Sequence, residues 1–193
     1  MKLQHPDGTT TYLETAGDTS DTSILLLHGI GADHKMWKPQ MEWLADRRFH
    51  VLAPDLLGHG LSSKMDSLTL ETWENQINEI LYQLDVPQVI LVGVSMGGVI
   101  AQSYAMHHPE KISRLVLSDT FGELETLQEK MLGFSQVIGF QLYKILGGKL
   151  LAKGMASAYK APYAALAKDY FSKVSLTVDF DQLILARKAI NTI

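Results

Sequence analysis

The sequence predicts an α/β protein, a mostly parallel sheet flanked by helices on both faces. Three observations lead there. Four short runs, Ser23–Leu27, Val51–Ala53, Val89–Val92 and Ile112–Ser118, are rich in Val, Ile and Leu, the composition of strands buried on both faces. Between them lie longer segments with apolar residues at helical spacing. The two kinds of segment alternate, the order that builds a parallel sheet with crossover helices.

Taken in order, residues 1–16 read as a hairpin turning at Asp7-Gly8. The strand Ser23–Leu27 runs into His28-Gly29-Ile30-Gly31, and a helix over Met36–Arg48 follows. Val51–Ala53 leads into the Gly-rich loop Pro54–Ser62. Leu70, Trp73, Ile77, Ile80, Leu81 and Leu84 share one helical face, so 69–85 is an amphipathic helix with Trp73 in the core. Val89–Val92 is the next strand. The helix after it stops at His107-His108-Pro109, because proline disfavours helix in the residue before it. Ile112–Ser118 closes the series, with Asp119 at its end. Beyond it the pattern changes. Residues 123–192 carry helical stretches, ending with Phe180–Thr192, broken by glycines at 133, 139, 147, 148 and 154 and by Pro162. Their many apolar residues, among them Leu132, Phe134, Val137, Ile138, Leu142, Ile145 and Leu150, are expected mostly to pack this region onto the sheet domain.

The chain of 193 residues suits one domain with an insertion. It has no cysteine, which excludes disulfides and thiolate metal sites. The first residues lack the apolar stretch of a signal peptide, and no run of 18 apolar residues could span a membrane. A soluble, cytoplasmic protein is expected. A net charge of −4 argues against a nucleic-acid partner. The charge is uneven: residues 1–119 hold 8 Lys/Arg against 15 Asp/Glu, and residues 120–193 hold 9 against 6. That contrast fits an insertion sitting on a core.

The chemistry-bearing motifs lie at the strand ends. Val89–Val92 leads into Gly93-Val94-Ser95-Met96-Gly97-Gly98, a G-x-S-x-G pattern followed by the apolar helix that begins Val99-Ile100-Ala101. Small flanking residues suit a sharp strand-to-helix turn, where a serine hydroxyl stands above the strand ends near a positive helix N-terminus. An ordinary Gly-rich turn would fit the pattern alone; the strand before and the helix after favour the nucleophile. With His28-Gly29-Ile30-Gly31 opposite, the amides of Ile30 and Met96 are the candidate donors to an oxyanion. His28 itself is expected to hydrogen-bond loop backbone.

Together with P-D-x-x-G-H-G-x-S at Pro54–Ser62, these segments resemble the α/β-hydrolase superfamily, in its esterase, enol-lactonase and cofactor-free haloperoxidase branch. The resemblance runs from about residue 10 to the end. It implies an α/β-hydrolase core over 1–119 and a helical cap over 120–193. It also implies a serine hydrolase without cofactor or metal, acting on a carboxylic ester or lactone with an apolar acyl or aromatic group through an acyl-enzyme at Ser95. Perhydrolase-type haloperoxidase chemistry at the same serine is the alternative within enzymes, and a non-catalytic ligand-binding protein is the alternative outside them. Asp55 and His59 are structural in this family.

The family's order is serine, acid, histidine, with the histidine beyond the cap. No histidine follows His108 here. The chain is therefore expected to be an N-terminal part that includes the cap, lacks the last strands and is inactive alone. Asp119 is the candidate acid, the alternative being a carboxylate that caps its loop. His34 and His59 lie on the correct side of the sheet, although neither matches the family's base. His107 and His108 lie about 12 residues past Ser95, roughly 18 Å along a helix and too far for proton transfer. The strand Ile112–Ser118 is expected to be an exposed edge, open to self-association or to the chain's own C-terminal segment.

Overall fold

The computed structural model describes residues 1–122, 126–159, 161 and 164–191. Six strands, β1 (Lys2–Gln4), β2 (Thr10–Ala16), β3 (Thr22–Leu27), β4 (Phe49–Pro54), β5 (Val89–Val94) and β6 (Ile112–Ser118), form one sheet in the order β1-β2-β4-β3-β5-β6. The β1–β2 hairpin and the β2–β4 pair are antiparallel, while β4, β3, β5 and β6 run parallel. Leu27 pairs with Gly93 and Val94 with Ser118. The loops after β3, β5 and β6 therefore leave the sheet at one level, on its C-terminal edge. The chain turns left from β3 to β4 and then crosses back to β5, so the β3/β5 boundary is the switch point where such sheets bind ligands.

Alternation in β3 separates two cores. Leu25 and Leu27 face α2 (Leu70–Gln83) and α3 (Met96–His107), packing with Trp73, Ile77, Met96, Val99 and Tyr104. Ile24 and Leu26 face α1 (Lys38–Ala45), with Trp37, Met41, Val51 and Ala53. Trp73 is fully buried, as its helical spacing predicts. The predicted helix over Met36–Arg48 is shorter than expected. His34–Trp37 forms a tighter 3-10 turn capped by Asp33, and the chain leaves the helix before Arg48, which adopts φ 65°.

After β6 come four helices: α4 (Leu127–Leu146), α5 (Gly148–Ala158), α6 (Ala165–Val174) and α7 (Phe180–Ile190). Three of the predicted glycine breaks are absent. Gly133 and Gly139 lie inside α4 and Gly154 inside α5; only Gly147-Gly148 interrupts the path, Gly147 at φ 90°. An interior glycine costs a helix about 1 kcal/mol, too little to end a 20-residue helix with a full capping box at Thr126 and Glu129. Pro162 and Thr192 lie outside the described residues.

A second expectation is corrected here. The apolar residues of α4 do not mainly pack inward: Leu127, Met131, Phe134, Ile138, Leu142 and Ile145 form one exposed stripe, and only Gly133 and Val137 of this helix are buried. Attachment to the sheet domain runs instead through α7, whose Leu183, Ala186, Ala189 and Ile190 are buried. A second tie joins Tyr170 to Asp33: the Tyr170 hydroxyl accepts the Asp33 amide at 2.7 Å and donates to its carboxylate at 3.0 Å. The edge expectation holds. Among the described residues no strand pairs with the outer side of β6, and Leu115, Val116 and Leu117 are 39–47% exposed.

Candidate active site

Ser95 stands between the last residue of β5 and the first of α3, at φ 52° and ψ −118°. An L-residue rarely adopts this backbone, and its surroundings hold it there. Its N–H donates to the Ser118 carbonyl at 3.1 Å, and its carbonyl accepts from Gly98 N, Val99 N and the Thr120 hydroxyl at 2.9, 3.1 and 2.8 Å. The bend closes only with small residues. A side chain at Gly93 would strike the Gly97 backbone, and one at Gly97 would strike the Leu27 and His28 carbonyls. Opposite the bend, a carbon added at Gly29 would lie 3.5 Å from Ser95 Cβ and 4.0 Å from its Oγ. The His28–Gly31 loop thus passes against the serine, as the motif spacing predicts.

Neither the Ile30 nor the Met96 amide donates a hydrogen bond among the described residues. Met96 opens α3, where helix geometry leaves the N–H without an intrahelical acceptor. Ser95 Oγ likewise has no hydrogen-bond partner there. A free hydroxyl, two free amides in the flanking turns and a helix N-terminus form a constellation suited to nucleophilic attack on a carbonyl.

The histidines are otherwise engaged. His28 is fully buried; its Nδ1 donates to the Gly29 carbonyl at 2.8 Å and its Nε2 accepts the Leu56 amide at 3.0 Å, while burial lowers its pKa. It braces the loop, as expected. His59 is held neutral, burial pushing its pKa down to about 3, with Nδ1 3.4 Å from the Leu57 carbonyl. His34 Nδ1 lies 2.8 Å from Asp55 Oδ1. Burial opposes the His34 charge, but the Asp55 hydrogen bond and negative charge outweigh it and raise the pKa. Burial also opposes the Asp55 charge, yet the His34 side chain and the His34 and Leu61 amides hold that carboxyl below its usual range. None of these rings hydrogen-bonds to Ser95. His107 sits on Glu74 at 3.1 Å, at the far end of α3. Asp119, at φ 45°, is exposed at the end of β6 and makes no hydrogen bond among the described residues, so the structure shows it neither orienting a histidine nor capping its loop.

A cavity of about 300 Å³ opens beside this edge, between the His59 loop and α7, touching Gly31, Asp33, His59, Lys64, Val178 and Leu183 but not Ser95. Among the described residues no cluster of His, Asp or Glu could hold a metal ion. Two residues near the site escaped the sequence reading. Thr120 holds the Ser95 carbonyl and carries no sequence signal. Arg187 is buried on α7, and it does carry one: Leu183, Ala186, Arg187 and Ile190 share a single helical stripe.

A switch-point serine on a strained strand–turn–helix, faced by a histidine–glycine loop, defines an α/β-hydrolase-type site. The family model for the alpha/beta hydrolase fold matches residues 22–145, and the chain belongs to that family. Among curated proteins it is 36% identical over 129 residues to a putative 2-succinyl-6-hydroxy-2,4-cyclohexadiene-1-carboxylate synthase of Bacillus subtilis, covering 64% of this chain and 46% of that one. It is 27% identical over 115 residues to 3-oxoadipate enol-lactonase 2 of Acinetobacter baylyi, covering 59% and 43%. The chain thus spans under half the length of these relatives. Among solved structures, a carboxylesterase of Nitrososphaera gargenis superposes with TM-score 0.86 at 23% identity, over 100% of this chain and 72% of that one. An esterase of Exiguobacterium antarcticum gives 0.84 at 23%, over 99% and 73%. At these identities the structures show the shared fold.

Proposed function

We propose that the chain carries the nucleophile and oxyanion site of a serine hydrolase acting on carboxylic esters or lactones. The observation that carries this reading is the strained backbone of Ser95, whose hydroxyl is free and whose flanking turns carry the free amides of Ile30 and Met96. Ser95 Oγ attacks the carbonyl carbon, and the two amides receive the charge that develops on its oxygen. The alcohol or ring oxygen leaves with a proton, and water then releases the acyl group from Ser95. Helices α4–α7 are read as a cap over this edge, and Val174, Val178 and Leu183, which line the cavity beside it, favour an apolar acyl or aromatic group. The names of the Acinetobacter enol-lactonase and of the esterase structures support the same reaction class.

The serine's proton needs a base. No histidine among the described residues bonds to Ser95, so the role is assigned to none of them, and residues 1–193 alone are expected to hydrolyse p-nitrophenyl esters little above background. A serine-directed fluorophosphonate tests the assignment. Peptide mapping should place the adduct on Ser95; an adduct on another serine with Ser95 unmodified would overturn it.

A further inference from the structure

The bend that carries the Ile30 amide is anchored at both ends by the sheet domain. Before it, His28 Nδ1 donates to the Gly29 carbonyl at 2.8 Å. After it, the His34 amide donates to Asp55 Oδ1 at 2.7 Å. Between these anchors the chain reverses tightly. The Ala32 amide donates to the Gly29 carbonyl at 3.2 Å, with Ile30 and Gly31 at the centre of the turn and Gly31 at φ 71°. A type II turn places a glycine at such a positive φ.

Among the described residues, one side chain hydrogen-bonds to Ile30–Asp33 from beyond the loop and the 3-10 turn after it, and it comes from α6. The Tyr170 hydroxyl accepts the Asp33 amide at 2.7 Å and donates to Asp33 Oδ1 at 3.0 Å. A single hydroxyl thus spends its donor and a lone pair on the same residue. Burial first, then the Asp33 charge, hold that hydroxyl protonated, so it stays a donor. Asp33 is 7% exposed, and without Tyr170 its amide would be shielded from water with no acceptor in place.

The other contacts on the bend are apolar. Leu183 methyl carbons lie 3.6 and 3.8 Å from where a Gly31 side chain would begin, and a Val178 methyl lies 3.9 Å from it. Such contacts press on the bend without setting its direction. The two hydrogen bonds of Tyr170 do set it, because they are directional.

Building on Ser95 as nucleophile, we propose that Tyr170 is a positioning residue: through Asp33 it fixes the bend that aims the Ile30 amide, so the oxyanion site is complete only while α6 is docked on the loop. Donors stabilise a developing charge when they are already in place, and a group misplaced by about 1 Å can cost on the order of a hundredfold in rate. Ile30 reaches this control through three residues of backbone.

The rate at which an excess of a fluorophosphonate labels Ser95 of the 193-residue protein, read by intact mass well below the melting temperature, tests this. Tyr170→Phe keeps the ring, which packs edge-on to Phe171 at 5.0 Å, and removes only the hydroxyl. It should slow labelling by about fivefold or more; a smaller loss would overturn the proposal. Asp33→Ala should slow labelling as well, which keeps the test open if Tyr170→Phe does not fold. Asp33→Asn, whose amide oxygen still accepts the hydroxyl, should restore the parent rate; an Asn variant as slow as the Ala variant would count against the positioning role. Gln182→Ala is the control for simple attachment. It removes another tie of two hydrogen bonds, from α7 to the Met65 amide and carbonyl at 2.9 Å each. It should melt below the parent yet label at the parent rate, and a slowing equal to that of Tyr170→Phe would overturn the proposal. A second reading needs no reactive serine. In Ser95→Ala, the nuclear magnetic resonance signal of the Ile30 amide should shift on Tyr170→Phe and stay in place on Gln182→Ala. Failure of the nucleophile assignment would show as labelling elsewhere with the Ile30 shift intact. Failure of the positioning role would show as labelling at Ser95 with no Ile30 shift.

Discussion

Replacing Ser95 by glycine should make the protein more stable while removing the proposed nucleophile. Ser95 sits at φ 52°, ψ −118°, the mirror image of an extended conformation, which glycine adopts freely. A non-glycine residue held in such a region costs about 1–3 kcal/mol. Glycine gives back about 0.5–1 kcal/mol through its more flexible unfolded chain. The difference leaves a gain of about 0–2.5 kcal/mol, or roughly 2–4 °C in melting temperature for each kcal/mol in a protein of this size. Ser95→Ala is the matched control. It keeps the strain and removes a hydroxyl that has no hydrogen-bond partner among the described residues, so it should unfold within about 0.5 kcal/mol of the parent. Urea unfolding followed by circular dichroism ranks the three proteins. A glycine variant less stable than the alanine variant would refute the reasoning, because the bend would then carry no strain for glycine to relieve.

Other outcomes follow from particular contacts. Gly97→Ala should cost at least about 1–3 kcal/mol, since its methyl group meets the Leu27 and His28 carbonyls; thermal melting close to the parent would contradict that packing. Asp55→Ala should cost about 3–5 kcal/mol, because the His34 ring and the His34 and Leu61 amides lose one buried carboxylate; chemical unfolding measures it. Two opposing histidine effects shape the stability profile on either side of the ordinary histidine value of 6.5. Below it, His28 and His59, whose folded pKa values are lowered, stay neutral while the unfolded chain takes up protons, and stability falls. Above it, His34, whose folded pKa is raised, loses its contribution as the pH passes that folded value, and His34→Gln should remove this alkaline decline from a melting-temperature profile. The bare β6 edge should drive self-association, which sedimentation velocity would detect and Val116→Lys should suppress.

Most of the fold was legible because the strands are nearly continuous apolar runs and the helix α2 has one clean face. The elbow was legible for a related reason: a serine forced to positive φ needs glycines at fixed offsets, and those offsets appear in the sequence as Gly93 and Gly97. What escaped depends on partners distant along the chain. Glycine propensity alone predicts breaks at Gly133 and Gly139, but a capped 20-residue helix absorbs both, and Gly133 lets Arg187 and Asn191 pack against its backbone. The apolar stripe of α4 resembles a packing face in sequence, and only the placement of α7 against the sheet shows that it faces outward. An arginine within the apolar stripe of α7 is a signal that periodicity contains and that charge alone conceals. The structural part expected of Asp55 and the position of His34 say nothing of the bond between them, which becomes visible only when the loops after β3 and β4 meet.

The acyl-enzyme at Ser95 is the central claim, and mass spectrometry reads it directly. With no base bonded to Ser95 its proton passes to solvent and both steps are slow, but attack on an activated ester such as p-nitrophenyl acetate remains faster than hydrolysis of the resulting serine ester, whose leaving group is far poorer. With no histidine bonded to Ser95 among the described residues, the second step should be the slower one and the acylated protein should accumulate. After incubation with the ester, the intact protein should carry one acetyl group, mapped to the peptide containing Ser95 and absent from Ser95→Ala. An acetyl group on another residue, or hydrolysis of the ester at equal rates by the parent and by Ser95→Ala, would contradict the account.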